Sequence, residues 1–488
     1  FYLNYAYDFG SNSKVDLMAG YGYQDFLYTN YNFPDRRFDR SILPNTEPQF
    51  PISDPGFTLI SYYSRINFNV ANKYILTLNG RFDGSSKFNS NDRWGFFPSA
   101  AVAWKISEED FLRNSTTISD LKFRIGYGVT GQQGGIDLYG YIPRYTISNN
   151  RAQYQLGNEF FNMYRPSAYD PNLTWETTRN LNFGIDYGFF NNRINGSLDY
   201  FDRETENLLS VVPIPLGTNF SNTLLTNVGN IESKGFEFTI NTVPVRRSDF
   251  NLEVGFNFTY VDPKISKLLL NPDPSFQGNR FGGFGGGTGN TIQIHSVGFQ
   301  PSSFFVYKQV YDFNGNPIDG LYEDLNRDGI INDEDLYRYM AADPRFFMGL
   351  SSNFNYKKWS GGFVLRGSVD NYLYNAVASN IGVRRGIVNP LGWINNGSRD
   401  FLNTSFENNQ YFSDYYVQNA SFARMDNINL GYHVGEVFKG ANLTISANVQ
   451  NAFVITKYTG LDPEFNGGID NTFYPRPRTY TLGINLGF

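Results

Sequence analysis

From Tyr74 to Phe82 every second residue is apolar or glycine. Tyr74, Leu76, Leu78, Gly80 and Phe82 share one face, and Thr77, Asn79, Arg81 and Asp83 share the other. A period of two marks a strand with one face in an apolar medium and one in a polar medium. Phe96, Pro98, Ala100, Val102, Trp104 and Ile106 repeat the pattern against Ser99, Ala101, Ala103 and Lys105. Between them, 84–94 is polar and glycine-bearing and reads as a long solvated hairpin loop. The same alternation predicts about fifteen strands in all. The others lie at 1–9, 15–24, 59–70, 121–129, 181–189, 194–202, 235–241, 252–260, 348–356, 359–367, 424–434, 443–450 and 480–488.

The connections carry as much information as the strands. Short ones at 10–14, 71–73, 190–193, 242–251, 357–358 and 435–442 take turns with long ones at 25–58, 130–180, 203–234, 261–347, 368–423 and 451–479. Only 84–94 and 107–120, of similar length, blur the rule; a short helical turn is expected near 107–112. Short turns on one rim and long loops on the other are the mark of an outer-membrane barrel. A β-sandwich has no reason to segregate loop lengths, and a propeller would repeat itself every 40 to 50 residues or so. The fold class expected is therefore all-β, a transmembrane antiparallel β-barrel of the outer membrane. Residues 262–346 are expected to form one long extracellular loop. The closing segment ends on Phe488 in the apolar row, which suits a C-terminal assembly signal as well as an ordinary last strand.

Composition narrows this further. Aromatic residues make up 18% of the chain, with 46 Phe and 35 Tyr, yet mean hydropathy is −0.40. Apolar residues are thus abundant but interleaved, and no run approaches the roughly 18 residues a spanning helix needs. A net charge of −6 and a pI near 5.2 leave no basic footprint, so no nucleic-acid partner is expected. With no cysteine there is neither a disulfide framework nor a thiolate metal site. The two histidines, His295 and His433, exclude a multi-histidine metal site, and any Ser-His-Asp arrangement would have to use one of them. The run Gly282–Gly289 lacks the Gly-Lys-Ser/Thr of a phosphate loop and reads as a flexible segment. No enzymatic constellation is found. The loop aromatics Tyr139, Tyr141, Tyr145, Tyr154, Phe160, Phe161 and Tyr164 suit stacking on a sugar, gripping a peptide, or a packed loop core.

The sharpest local motif runs from Asp324 to Asp335. Oxygen-bearing side chains stand at loop positions one, three and five (Asp324, Asn326, Asp328). Gly329 follows at six, apolar Ile331 stands at eight and Asp335 at twelve. That is the pattern of a calcium loop, in which the Ile330 carbonyl would add a ligand at position seven. Position twelve is Asp where Glu is usual, which shortens that arm. The expected cofactor is a structural Ca2+ held by Asp324, Asn326, Asp328, Ile330 and Asp335. The same residues also suit a polar turn with solvated carboxylates.

Several segments resemble the SusC/RagA family of TonB-dependent outer-membrane transporters. They are Gly80-Arg81-Phe82-Asp83-Gly84-Ser85-Ser86-Lys87-Phe88 with Arg93-Trp94-Gly95-Phe96-Phe97-Pro98-Ser99, then Tyr127-Gly128-Val129-Thr130-Gly131, Asn227 to Glu237, the calcium-like loop, and Lys457 to Glu464. The resemblance implies part of a barrel of about 22 strands, some seven of them before Phe1, with the plug domain not in this chain. It also implies TonB-driven import of oligosaccharides or peptides, a SusD-like surface lipoprotein as partner, and TonB acting from the periplasm. A passive outer-membrane porin without energy coupling would share every strand feature.

Overall fold

The structure is a computed structural model. It describes residues 1–488 apart from 11, 45, 49, 149–151, 215–220, 288, 389–390 and 472–473. Ser11 of the first expected turn and Thr288 of the glycine run lie outside the described residues.

Fifteen long strands form one antiparallel sheet in chain order. They are β1 (Tyr2–Asp8), β2 (Lys14–Leu27), β3 (Gly56–Val70), β4 (Tyr74–Ser85), β5 (Trp94–Lys105), β6 (Ile118–Gln132), β7 (Glu176–Phe189), β8 (Ile194–Pro213), β9 (Thr223–Arg246), β10 (Phe250–Lys267), β11 (Phe346–Tyr356), β12 (Trp359–Val369), β13 (Phe422–Phe438), β14 (Ala441–Thr456) and β15 (Thr479–Gly487). All fifteen expected strands are present. The meander has no crossover, and β1 and β15 are its two edges.

Register follows the alternation. Leu78 lies between Ile66 of β3 and Ala100 of β5, while Asn79 lies between Arg65 and Ser99. The apolar row faces outward: Leu78, Val102, Ile125 and Leu198 are 38%, 53%, 39% and 47% exposed. A water-soluble sheet could not leave such a band bare, whereas a barrel in hydrocarbon requires it. Among the described residues no helix is long and apolar enough to cross a membrane.

Most strands run a few residues beyond the sequence reading, and three differences change the loops. Within 203–234, expected as a loop, β8 and β9 stay paired out to Pro213 and Thr223, and 215–220 lie outside the described residues. β9 spans 24 residues, far more than the 9–11 or so needed to cross, so the pair projects as a ribbon beyond the rim. β10 likewise runs on to Lys267, which leaves 268–345 as the loop expected over 262–346. The 84–94 tip is not simply solvated, since Ser85 and Phe88 are fully buried. Periodicity cannot see this, because the cover comes from the distant loop 133–175. Trp175 packs on Phe88 at 4.9 Å and edge-on to Phe97 at 5.3 Å.

With its apolar face turned outward, the wall has little interior of its own, and the buried core sits in the loops. Loops 268–345, 370–421 and 457–478 share one cluster that includes Phe284, Ile292, Phe304, Tyr374, Phe406, Tyr416 and Ile469. Residues Asn279–Gly283, Thr291–His295, Ser303–Val306 and Tyr337–Ala341 form a four-stranded sheet within it. Tyr372–Asn375 pairs with both Val417–Asn419 and Ile469–Asp470, joining the second loop to the third. Each large side chain so buried contributes roughly 1.5–3 kcal/mol, enough to hold the three loops as one cap. The expected helical turn appears as a single 3-10 turn, Ile106–Glu108.

Candidate functional site

The inward row carries charge in matched groups. On β6 and β7, Arg124 and Lys122 both engage Asp186, at 2.7 and 2.6 Å, and Arg124 also reaches Asp199 of β8 at 3.0 Å. These side chains project from adjacent strands at directly paired positions, Lys122 opposite Asp186 and Arg124 opposite Gly184. The glycine leaves room for the guanidinium to lean across. The result is a polar lumen wall that carries its own counter-charges.

A second charged group fastens the cap to the wall. Arg424 on β13 is almost wholly buried and pairs with Asp462 of the last loop. It also donates to the Asn451 side chain at 2.7 Å. Arg366 on β12 grips Glu464 with two bonds of 2.7 Å and Asp426 with a third, and Arg476 bonds Glu464 from within the loop. Held this way, the Glu464 carboxyl stays below its usual pKa, although burial pushes against the guanidinium bonds. Within the same loop Tyr458 donates to Asp470 at 2.7 Å. Sequence reasoning singled out Lys457 to Glu464 only for its resemblance. The residues it missed are Arg366 and Arg424, whose signal was an arginine on the inward row beside a long loop, and Arg476 within that loop, which carried no such signal.

Two other resembling segments also work at wall-to-loop junctions. Phe97 of β5 lies against Gly131 of β6, where an added Cβ would come within 2.0 Å of its ring. Asn227 of β9 accepts from the Thr174 N–H at 2.9 Å and donates to the carbonyls of Thr174 (2.9 Å) and Asn207 (2.7 Å). It thereby sews the ribbon to loop 133–175.

The expected calcium ligands lie in one short turn, where each carboxylate accepts from backbone N–H groups. Asp324 accepts from the N–H groups of Arg327, Asp328 and Gly329 at 2.6, 3.2 and 2.8 Å. Asn326 accepts from Asp328, and Asp328 accepts from Ile330 at 2.8 Å. Asp335 is buried and accepts from Leu325, Asn326 and Asn332. Those N–H groups, Asn332 foremost, hold its carboxyl below the usual carboxylate pKa against the opposing effect of burial. Gly329 sits at φ +85°, as the sharp turn requires. Among the described residues no three His, Cys, Asp or Glu side chains are gathered as a ready metal cluster. The donor set is nonetheless all oxygen, as a hard cation asks, and each carboxylate offers about four lone-pair positions, not all of them taken.

The sheet order, the outward apolar row and the loop cap can now be compared with known proteins. Residues 1–452 match the family described as "TonB dependent receptor-like, beta-barrel". The chain belongs to that family. Such a receptor barrel is an outer-membrane protein of Gram-negative bacteria. The TonB-dependent receptor SusC of Bacteroides thetaiotaomicron is 41% identical over 444 residues, covering 88% of this chain and 44% of that protein. A TonB-dependent receptor of Formosa agariphila is 30% identical over 532 residues, covering all of this chain and 52% of its own length. Among solved structures, that of the RagAB peptide transporter superposes with a TM-score of 0.79 at 21% identity, over 100% of this chain and 55% of that one. The chain spans about half the length of these relatives.

In this receptor barrel the remaining sequence candidates divide. Tyr145, Tyr154, Phe160, Phe161 and Tyr164 stand exposed on two small two-stranded sheets, so they do not form the loop core; Ile136, Leu173 and Trp175 do. His433 lies on the inward row, 3.3 Å from the Thr444 hydroxyl. His295 packs on Phe281 at 4.1 Å, and burial lowers its pKa.

Proposed function

We propose that this barrel belongs to an active importer that carries oligosaccharides or peptides across the outer membrane. TonB supplies the energy from the periplasm, and a SusD-like surface lipoprotein closes the extracellular mouth. The observation that carries this reading is the folded cap of three loops anchored to the inward row by Arg424–Asp462 and Arg366–Glu464. A passive pore gains nothing from so built an entrance, whereas an importer needs a surface that selects its cargo. Membership of the TonB-dependent receptor family supports energy coupling over the passive porin, and no bond is made or broken in the step. The test is uptake of labelled oligosaccharides and peptides by cells carrying the complete protein, with and without TonB. Uptake that stops when TonB is deleted is the expected result, and uptake that continues unchanged would make the barrel a porin. The lipoprotein is tested by the native mass of the detergent-solubilised complex, which should exceed that of the receptor alone.

We further propose that Asp324, Asn326, Asp328, Asp335 and the Ile330 carbonyl hold a structural Ca2+. Its role would be to brace loop 268–345, where Asp333 is tied to Arg280 at 2.8 Å. The residue types at their loop spacing and the left-handed Gly329 support this reading.

A further inference from the structure

The glycine run that the calcium-like loop and the anchors leave unexplained lines a cavity of about 780 Å3 in the cap. Its floor is Gly283, Phe284, Gly285, Gly287 and Gly289, and its far wall is the helix Ala376–Ile381, which carries Asn380, with Tyr411. Gly286 is held at φ +105° against the Tyr411 ring, where a Cβ would meet ring carbons at 2.4 Å. The run is therefore a fitted surface. Tyr411 donates to Asn380 Oδ1 at 3.3 Å and packs on buried Phe284 at 5.9 Å, which fixes both polar groups. The Asn380 Nδ2 lies 3.7 Å from the place of a Gly285 Cβ, so the amide borders the space that the missing side chains leave open.

The lining is distinguished by its chemistry. Asn290, Asn380 and Asn471 contribute amides, Tyr411 a phenol, and the glycines their bare backbone. Among the described residues none of the lining side chains is Asp, Glu, Lys, Arg or His. Amides and hydroxyls each offer both donors and acceptors, the complement of a neutral hydroxyl-rich molecule. Charged groups stand behind this lining: Arg385 acts on Tyr411, and Arg280 and Asp333 line a smaller cavity that shares Gly289, Asn290 and Thr291. Within the lining itself a phosphate, a uronic acid or a peptide terminus would meet no charged side chain and would lose hydration without a direct ion pair. The wall cavity of about 630 Å3, beside Arg366 and Glu464, lacks this neutrality. We infer that the Gly283–Asn380–Tyr411 cavity is a binding site for neutral oligosaccharide, which selects glycan over peptide as this receptor's cargo. The inference rests on the import reading above.

The test is isothermal titration of the complete receptor in detergent with neutral hexasaccharides of glucose, mannose, xylose and fructose, beside hexagalacturonate and a hexapeptide. Variants are Asn380→Ala and Gly285→Leu; Gly285 has ordinary backbone geometry, so the leucine fills the space without forcing the turn. A heat-modifiability assay confirms that each variant is folded. At least one neutral sugar should bind the wild type, roughly five-fold weaker in Asn380→Ala and more than about ten-fold weaker in Gly285→Leu. Binding of the hexapeptide alone, or sugar binding unchanged in both variants, overturns the site. Uptake of the same sugar in cells with and without TonB is measured in parallel. Loss of uptake with TonB while both variants bind normally sinks only the site; variant-sensitive binding with TonB-independent uptake sinks only the import reading.

Discussion

Tyr74 and Trp104 stand directly opposite one another across the β4–β5 ladder, and both donate to the same oxygen of Glu109, at 2.7 and 3.0 Å. Lys73 binds the other oxygen at 2.8 Å. Two amphipathic rings at the short-turn rim are what an interfacial girdle looks like, and the turn that follows β5 supplies the carboxylate that aligns them. At the other end of the same strands Phe82 stacks on Trp94 at 4.8 Å.

Lys73, then Tyr74 and Trp104, hold the Glu109 carboxyl down to about 2, well below its usual 4.5. A depressed acid contributes its full stabilisation above the usual value and loses it as pH falls toward the folded one. The unfolding midpoint of the detergent-solubilised receptor should therefore drop as pH falls from 4.5 toward 2. In Glu109→Gln that component of the pH dependence should vanish, with a lower midpoint at neutral pH. Parallel pH profiles for the two proteins would show that the cluster is passive.

The outward and inward rows predict opposite tolerances. Leu78 is four residues beyond Tyr74, which on a tilted strand is about 10 Å into a band roughly 25 Å tall, near its middle. Leu78→Arg should cost about 2–4 kcal/mol of folding stability in lipid. Asn79→Arg faces the lumen and loses only its bond to Ser99, so its cost should stay near 1 kcal/mol. Urea unfolding in vesicles measures both, and equal costs would contradict the assignment of faces.

Breaking the cap anchor should be expensive. Arg424→Ala leaves buried Asp462 with the more distant Arg476 guanidinium, at 3.8 Å, and the Glu464 N–H, so the loss should be about 3 kcal/mol, the low end for a broken buried pair. Protease cleavage within 457–478 should rise accordingly. Because the two groups form one unit, Arg424→Ala with Asp462→Ala should cost less than the sum of the single changes. Strict additivity would show that the loop is held by its apolar core alone.

Chelation tests the calcium proposal. Removing the ion should loosen 324–335 to protease in the wild type, and Asp328→Ala should be equally loose with or without chelator. Metal analysis should find calcium in the first protein and less in the second. A loop that resists protease equally in every condition, with no calcium found, would leave it a polar turn braced by its own N–H groups.

The alternation of Leu76, Leu78 and Phe82 with Thr77, Asn79 and Arg81 determined by itself that these are strands, which face meets lipid, and, with the loop lengths, that they make a meandering wall. It could do so because strand faces follow a local period of two, and lipid and lumen impose opposite demands on each residue. The same logic placed Asp324 to Asp335 in one turn, since twelve consecutive residues need no distant partner. What only the tertiary structure decided is where separate segments meet. Nothing local to Phe88 says that Trp175 covers it, nor does any period tell Arg424 that Asp462 will return 38 residues later as its partner. The three-loop cap and its neutral cavity arise from long-range burial of loop side chains such as Phe284 and Tyr374. That burial depends on which loops the order of strands brings side by side, not on any pattern along a single stretch of chain.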